Sequence, residues 1–196
     1  MSLLIILSGP SGAGKDAVLN RMKELNLPFD YMITSTTRPP RSGEKDGIEY
    51  HFVSESGFQE MLQRGDLIES AKVYGYWYGV PKHELKQGLD AGKDLILKMD
   101  VQGAATIRNL LPGAVLVFLT LPSLEDYERR LRQRKTETDT DLKVRLGKVT
   151  EEMRSMLIFD YVVVNREDQL DAAVDQIRAI FTAEKCRVTP HVVQFK

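Results

Sequence analysis

The apolar run Leu3-Leu4-Ile5-Ile6-Leu7 passes directly into Ser8-Gly9-Pro10-Ser11-Gly12-Ala13-Gly14-Lys15. A short buried strand punctuated by a glycine-rich turn explains this order best. Beyond the turn, Val18, Leu19, Met22 and Leu25 recur at helical spacing, so a helix follows from Lys15 to Leu25. Gly9 to Lys15 fill the first seven positions of G-x-x-x-x-G-K-[ST], in the strand–loop–helix setting that the motif demands. Glycines let consecutive backbone N–H groups face inward on phosphates. The helix adds its positive N-terminal end, and Lys15 neutralises the outer phosphate oxygens. Position eight is Asp16 and the next residue is Ala17, so the hydroxyl that usually ligates Mg²⁺ is missing from both places.

The rest of the chain alternates strands with helices. Tyr31 to Thr37 is extended in propensity and leads into a polar stretch, 38–47, with two prolines and two glycines. Residues 50–80 read as short strands around one helix, about Glu55 to Gln63, and 81–91 as another helix. Further strands are expected at Asp94 to Asp100, Leu116 to Leu119 and Tyr161 to Val164. Strands interleaved with helices imply a parallel sheet covered on both faces. The segment 132–141 holds no aliphatic or aromatic residue and reads as a solvated, mobile excursion between two helices.

Composition narrows the function. With 196 residues, 42% of them hydrophobic and 28% charged, the chain fits one globular domain with insertions. A net charge of −1 supplies no general pull toward nucleic acid or membrane. No stretch approaches membrane-spanning length. The single cysteine, Cys186, excludes an intrachain disulfide and reads as a buried or idle thiol. A reducing, cytoplasmic setting is expected. His51, His83 and His191 lack metal-ligand spacing, so no protein-only metal site is expected.

Several segments together carry a family resemblance. After the phosphate loop come Ser35-Thr36-Thr37-Arg38-Pro39-Pro40-Arg41-Ser42-Gly43-Glu44 and Gly47-Ile48-Glu49-Tyr50-His51-Phe52. Ile68-Glu69, Tyr78-Gly79, Asp100-Val101-Gln102-Gly103, Arg130-Leu131, Arg134, Thr136-Glu137, Arg145-Leu146 and Asp160 to Asn165 complete the set. In these the chain resembles the guanylate kinases. The resemblance implies a P-loop NTPase fold, three-layer α/β/α with a parallel core sheet, a GMP-binding insertion and a mobile lid. The core would be about 1–33, 94–131 and 142–185, the insertion about 34–93 and the lid about 132–141. It implies phosphoryl transfer from ATP, bound with Mg²⁺, to GMP, by a monomer or homodimer.

The resemblance also implies roles. ATP would lie on Gly9, Pro10, Ser11, Gly12, Ala13, Gly14, Lys15 and Asp16, with Asn165 near the adenine. Arg38, Arg41, Tyr50 and Tyr78 would hold the GMP phosphate, where two guanidinium forks and two phenols suit a dianion. Glu69 would accept from the N1–H and 2-amino group of guanine, which adenine cannot supply. Thr34, Gly79, Val80 and Asp100 would complete the guanosine site. Lys15, Arg130, Arg134 and Arg145 would neutralise charge during transfer, with Arg145 opening the helix beyond the lid.

Four positions depart from the family pattern. Thr34 keeps the hydroxyl of the usual Ser. Val80 replaces a Ser or Thr that donates to guanine O6. Lys98 replaces an Asp, while Asp16 brings an acid into the loop, so the acid is expected to have moved and Asp16 to face Lys98 or the Mg²⁺ shell. A ribose 1,5-bisphosphate kinase-like enzyme resembles the chain at Asp16 and Val80 but has no need of Tyr50, Glu69 and Asp100. A non-catalytic guanylate-kinase-like binding module is disfavoured by the intact loop and the lid arginines.

Overall fold

The computed structural model describes residues 2–73, 75–133 and 139–193. They divide into two compact units, one of residues 1–2 and 29–97 and one of 3–28 and 98–196.

The second unit carries the phosphate loop. Strand β1, Leu4–Ser8, is fully buried, as is β8, Val115–Thr120. These two pair in parallel with Ile5 opposite Val115, and β8 pairs in parallel with β9, Tyr161–Val164, giving the order β1-β8-β9. Continuous apolar runs with no polar alternation suit strands covered on both faces. Helices α1, Lys15–Glu24, α4, Val101–Leu110, α5, Leu124–Gln133, α6, Asp139–Arg154, and α7, Leu170–Lys185, belong to this unit. Val18 and Met22 of α1 and Val174 and Ile177 of α7 are buried, and Arg21 binds Asp171 at 2.6 Å across the pair. Asp100 caps α4 by accepting the Gly103 N–H at 2.8 Å.

The first unit holds two strand groups. In one, β2, Asp30–Tyr31, runs parallel to β7, Leu95–Lys98. The other is a four-stranded sheet of order β4-β3-β6-β5, built from β3, Thr34–Thr36, β4, Tyr50–Phe52, β5, Leu67–Val73, and β6, Tyr76–Pro81. Within it β3 and β4 are parallel, whereas β6 is antiparallel to both β3 and β5. Helix α2, Glu55–Arg64, opens on a Ser54 cap and buries Phe58, which stacks on Trp77 at 5.7 Å. Helix α3, Lys82–Asp90, follows β6 directly.

The α/β class with a parallel sheet is thus as the sequence implied. One boundary differs: α6 begins at Asp139, so Arg145 lies inside that helix and does not open it. Leu142 and Val149, seven residues apart, are both buried and share one face of this helix. Within the expected lid, 134–138 and therefore Arg134 lie outside the described residues. Cys186, read as buried or idle, is exposed.

The end of β1 sets the loop's course through Gly9. Its φ is +138°, and a Cβ there would sit 2.0 Å from the Leu119 carbonyl oxygen of β8. Only glycine combines that backbone with so close an approach. Gly9→Ala is expected to cost about 3 kcal/mol or more, from backbone strain and overpacking together. Chemical denaturation measures this, and unchanged stability would contradict the packing described.

Candidate active site

The loop from Gly9 to Lys15 turns tightly on itself, with the Ala13 N–H donating to the Pro10 carbonyl at 3.1 Å. Gly14 stands at the helix start, and the Val18 N–H returns to its carbonyl at 3.0 Å. Helix α1 therefore points its positive end into the loop. Lys15 folds back across the loop, donating to the carbonyls of Gly9 at 2.5 Å and Pro10 at 3.1 Å.

Residues far away in sequence hold the loop in place. Asn165, which follows β9 and is 3% exposed, donates from Nδ2 to the Ala13 carbonyl at 2.8 Å. Its own N–H is fixed on the Thr120 carbonyl at 2.8 Å, so the strand end of β8 sets its place. Arg130, on α5, reaches the same Ala13 carbonyl at 3.5 Å. Glu152, on α6, accepts the Ser11 N–H at 3.3 Å.

Charge is concentrated here. Burial lowers the Lys15 ammonium below its usual range, against the pull of Glu152 and then Asp16. Burial pushes the Glu152 carboxyl up, against Lys15 and the Ser11 N–H. Lys98, at the end of β7, donates to the Asp16 carboxylate. The pair is asymmetric, with the lysine side chain 16% and the aspartate 69% exposed. The two departures from the family pattern are therefore neighbours.

The first unit carries the other group of expected site residues. Register places Thr34 opposite Tyr50, Ser35 opposite Gly79 and Thr36 opposite Tyr78. The buried Thr36 hydroxyl donates to the Trp77 carbonyl at 2.9 Å and accepts the Arg38 N–H at 3.2 Å, which turns the chain off the sheet at Arg38. Arg38 then lies with its guanidinium 5.4 Å from the Tyr50 ring centroid, and the rings of Tyr50 and Tyr78 are 6.0 Å apart at 66°. Burial opposes the charge on Arg38, but the Glu44 carboxylate more than restores it, so the group is held above its usual range. Arg38, Tyr50 and Tyr78 are thus brought together, whereas Arg41 sits on an exposed loop beside them. Glu69, 8% exposed, faces Val80 across β5 and β6, and Val80 is 1% exposed.

Sequence reasoning missed Glu152 at the loop and the grip of Asn165 on Ala13. Glu152 sits in Thr150-Glu151-Glu152-Met153, where it reads as ordinary helix surface. No local pattern separates it from Glu151. Only the packing of α6 brings it to the loop.

The family profile described as guanylate kinase matches residues 1–184. The chain is 43% identical over 192 residues to guanylate kinase 2, chloroplastic/mitochondrial, of Oryza sativa subsp. japonica, covering 97% of this chain and 67% of that one. It is 40% identical over 194 residues to the guanylate kinase of Shouchella clausii, covering 99% and 94%. Its fold resembles the crystal structure of guanylate kinase from Anaplasma phagocytophilum, with a TM-score of 0.79, 31% identity and coverage of 95% and 88%. A shikimate kinase from Acinetobacter baumannii shares the fold at a TM-score of 0.51 and 15% identity. A phosphate loop with its supporting side chains, a sheet that gathers Arg38, Tyr50 and Tyr78, and these matches over nearly the whole length lead to one conclusion: the chain belongs to the guanylate kinase family.

Proposed function

We propose that this protein transfers the γ-phosphoryl group of ATP to GMP, giving ADP and GDP. The observation that carries the reading is the gathering of Arg38, Tyr50 and Tyr78 in one unit of a chain that also holds the phosphate loop from Gly9 to Lys15. An oxygen of the GMP phosphate attacks the γ-phosphorus, and the bond to the ADP oxygen breaks. Both partners are anions, so the protein's task is positioning and neutralisation. Lys15 and the loop N–H groups take the ATP phosphates; Arg38, Arg41, Tyr50 and Tyr78 take the GMP phosphate. Arg130, Arg134 and Arg145 neutralise the group in flight. Thr34, Gly79, Val80 and Asp100 border the guanosine.

Among the described residues no three His, Cys, Asp or Glu side chains are grouped to hold an ion. A magnesium ion carried by ATP needs no such group. It keeps waters and phosphate oxygens as most of its ligands and asks the protein for one or two hard oxygens. The exposed Asp16 carboxylate, next to Lys15 and steadied by Lys98, fits that need and would hold it. When bound, the ion neutralises and orients the phosphate oxygens. The protein acts in the cytoplasm on small nucleotides, as a monomer or homodimer, and its balanced charge supports the absence of nucleic acid among its partners.

A coupled ADP-release assay with ATP, Mg²⁺ and GMP, dGMP, AMP, UMP or ribose 1,5-bisphosphate tests the reading. GMP is expected to be the preferred acceptor and AMP nearly inert, and equal turnover of the two would rule the reading out. Glu69→Gln is expected to weaken GMP use by about 2 kcal/mol or more, because a carboxylate facing two donors is lost. Asp16→Ser and Lys98→Asp are expected to be non-additive by at least about 0.5 kcal/mol in Mg²⁺-dependent turnover. Strictly additive losses would mean that the pair does not act as a unit.

A further inference from the structure

Arg38 is 8% exposed, and a guanidinium so far from water needs fixed partners. Glu44 supplies them. Arg38 Nη2 donates to both carboxylate oxygens of Glu44, each at 2.9 Å, and Nη1 donates to the Pro39 carbonyl at 2.8 Å. The rings of Tyr50 and Phe52 lie 5.4 and 5.8 Å from Arg38 Cζ. With these neighbours the long side chain has one placement.

The same carboxylate holds the second arginine's backbone. Glu44 Oε2 accepts the Arg41 N–H at 2.7 Å, and the Glu44 N–H donates to the Arg41 carbonyl at 3.1 Å. This closes a four-residue turn whose third residue, Gly43, has φ +89°. A positive φ at that place is what a type II turn requires, and glycine meets it without strain. Arg41 is therefore presented from a turn that the Glu44 side chain ties to Arg38.

We propose that Glu44 is the positioning residue of the acceptor-phosphate site, fixing the guanidinium of Arg38 and the turn bearing Arg41 so that both meet the phosphate already oriented. The inference rests on the reading that Arg38 and Arg41 take the phosphate of GMP. Glu44 acts through the arginines and does not itself touch substrate. Its negative charge beside an incoming dianion has a cost, offset by the two guanidiniums. The gain is that the ordering of the Arg38 side chain and of the turn that bears Arg41 occurs on folding and not on binding.

A competing role is distinguishable. If Glu44 were a stand-in that the phosphate must displace from Arg38, removing its charge would tighten GMP binding. Positioning predicts the reverse. The test compares the full-length protein and Glu44→Gln, a variant of the same shape, for binding of GMP and of guanosine, which lacks the phosphate. The variant is expected to lose about tenfold in GMP affinity, the scale of a lost charge-assisted contact, and less than twofold for guanosine. In the steady state KM for GMP rises more than kcat falls. Unchanged or tighter GMP binding overturns the proposal, and so does an equal loss for both ligands, which marks a merely structural role. If the unmodified protein itself binds GMP no better than guanosine, the acceptor reading falls first, and the positioning role falls with it.

Discussion

The close approach of Gly9 to the Leu119 carbonyl is the constraint on which the phosphate loop depends. Strand β1 must end within 2.0 Å, measured from an imagined Cβ, of a backbone oxygen on β8, and from there the loop can only turn back over its own carbonyls. That turn leaves Gly14 at the mouth of α1 and Lys15 folded onto Gly9 and Pro10. The positive end of the helix and the ammonium are thereby both brought to the loop, as an anion site needs. Asn165 and Arg130 add a brace at Ala13, one from the end of β9 and one from α5, so sheet and helices fix the loop together.

Electrostatics gives this loop a character of its own. A buried ammonium with no counter-charge would be costly, and Glu152 supplies the strongest opposing charge to Lys15. Asp16 and Lys98 form a second balance beside it. The family pattern, a neutral residue in the loop and an acid on the strand, carries one negative charge over these two positions, whereas Asp16 and Lys98 together are neutral. The carboxylate of Asp16, the residue proposed to hold the ion carried by ATP, is thus already partnered. In the first unit Arg38 and Glu44 repeat the theme, a buried cation held by one carboxylate.

What could be read from the sequence was local. The strand, loop and helix around Gly9 to Lys15 are legible because the glycines, the lysine and the 3.6-residue spacing of Val18, Met22 and Leu25 are all short-range signals. Helices α2 and α3 and strands β8 and β9 were legible for the same reason. The contact of Asp16 with Lys98 was legible as well, because opposite charges had replaced expected residues at two places that converge in such folds. Glu152 and the Asn165 brace were not, since nothing beside them in the chain distinguishes a surface amide or carboxylate from one carried inward by packing. The start of α6 was misplaced because its first three residues, Asp139 to Asp141, are polar and offer no apolar periodicity to read.

The chemistry itself is open to one direct measurement. ATP labelled with ³²P in the γ-phosphate, incubated with the protein, Mg²⁺ and unlabelled GMP, should place the label in the β-phosphate of GDP. Label recovered as inorganic phosphate, or remaining in ATP while GMP is unchanged, would contradict transfer between these two nucleotides.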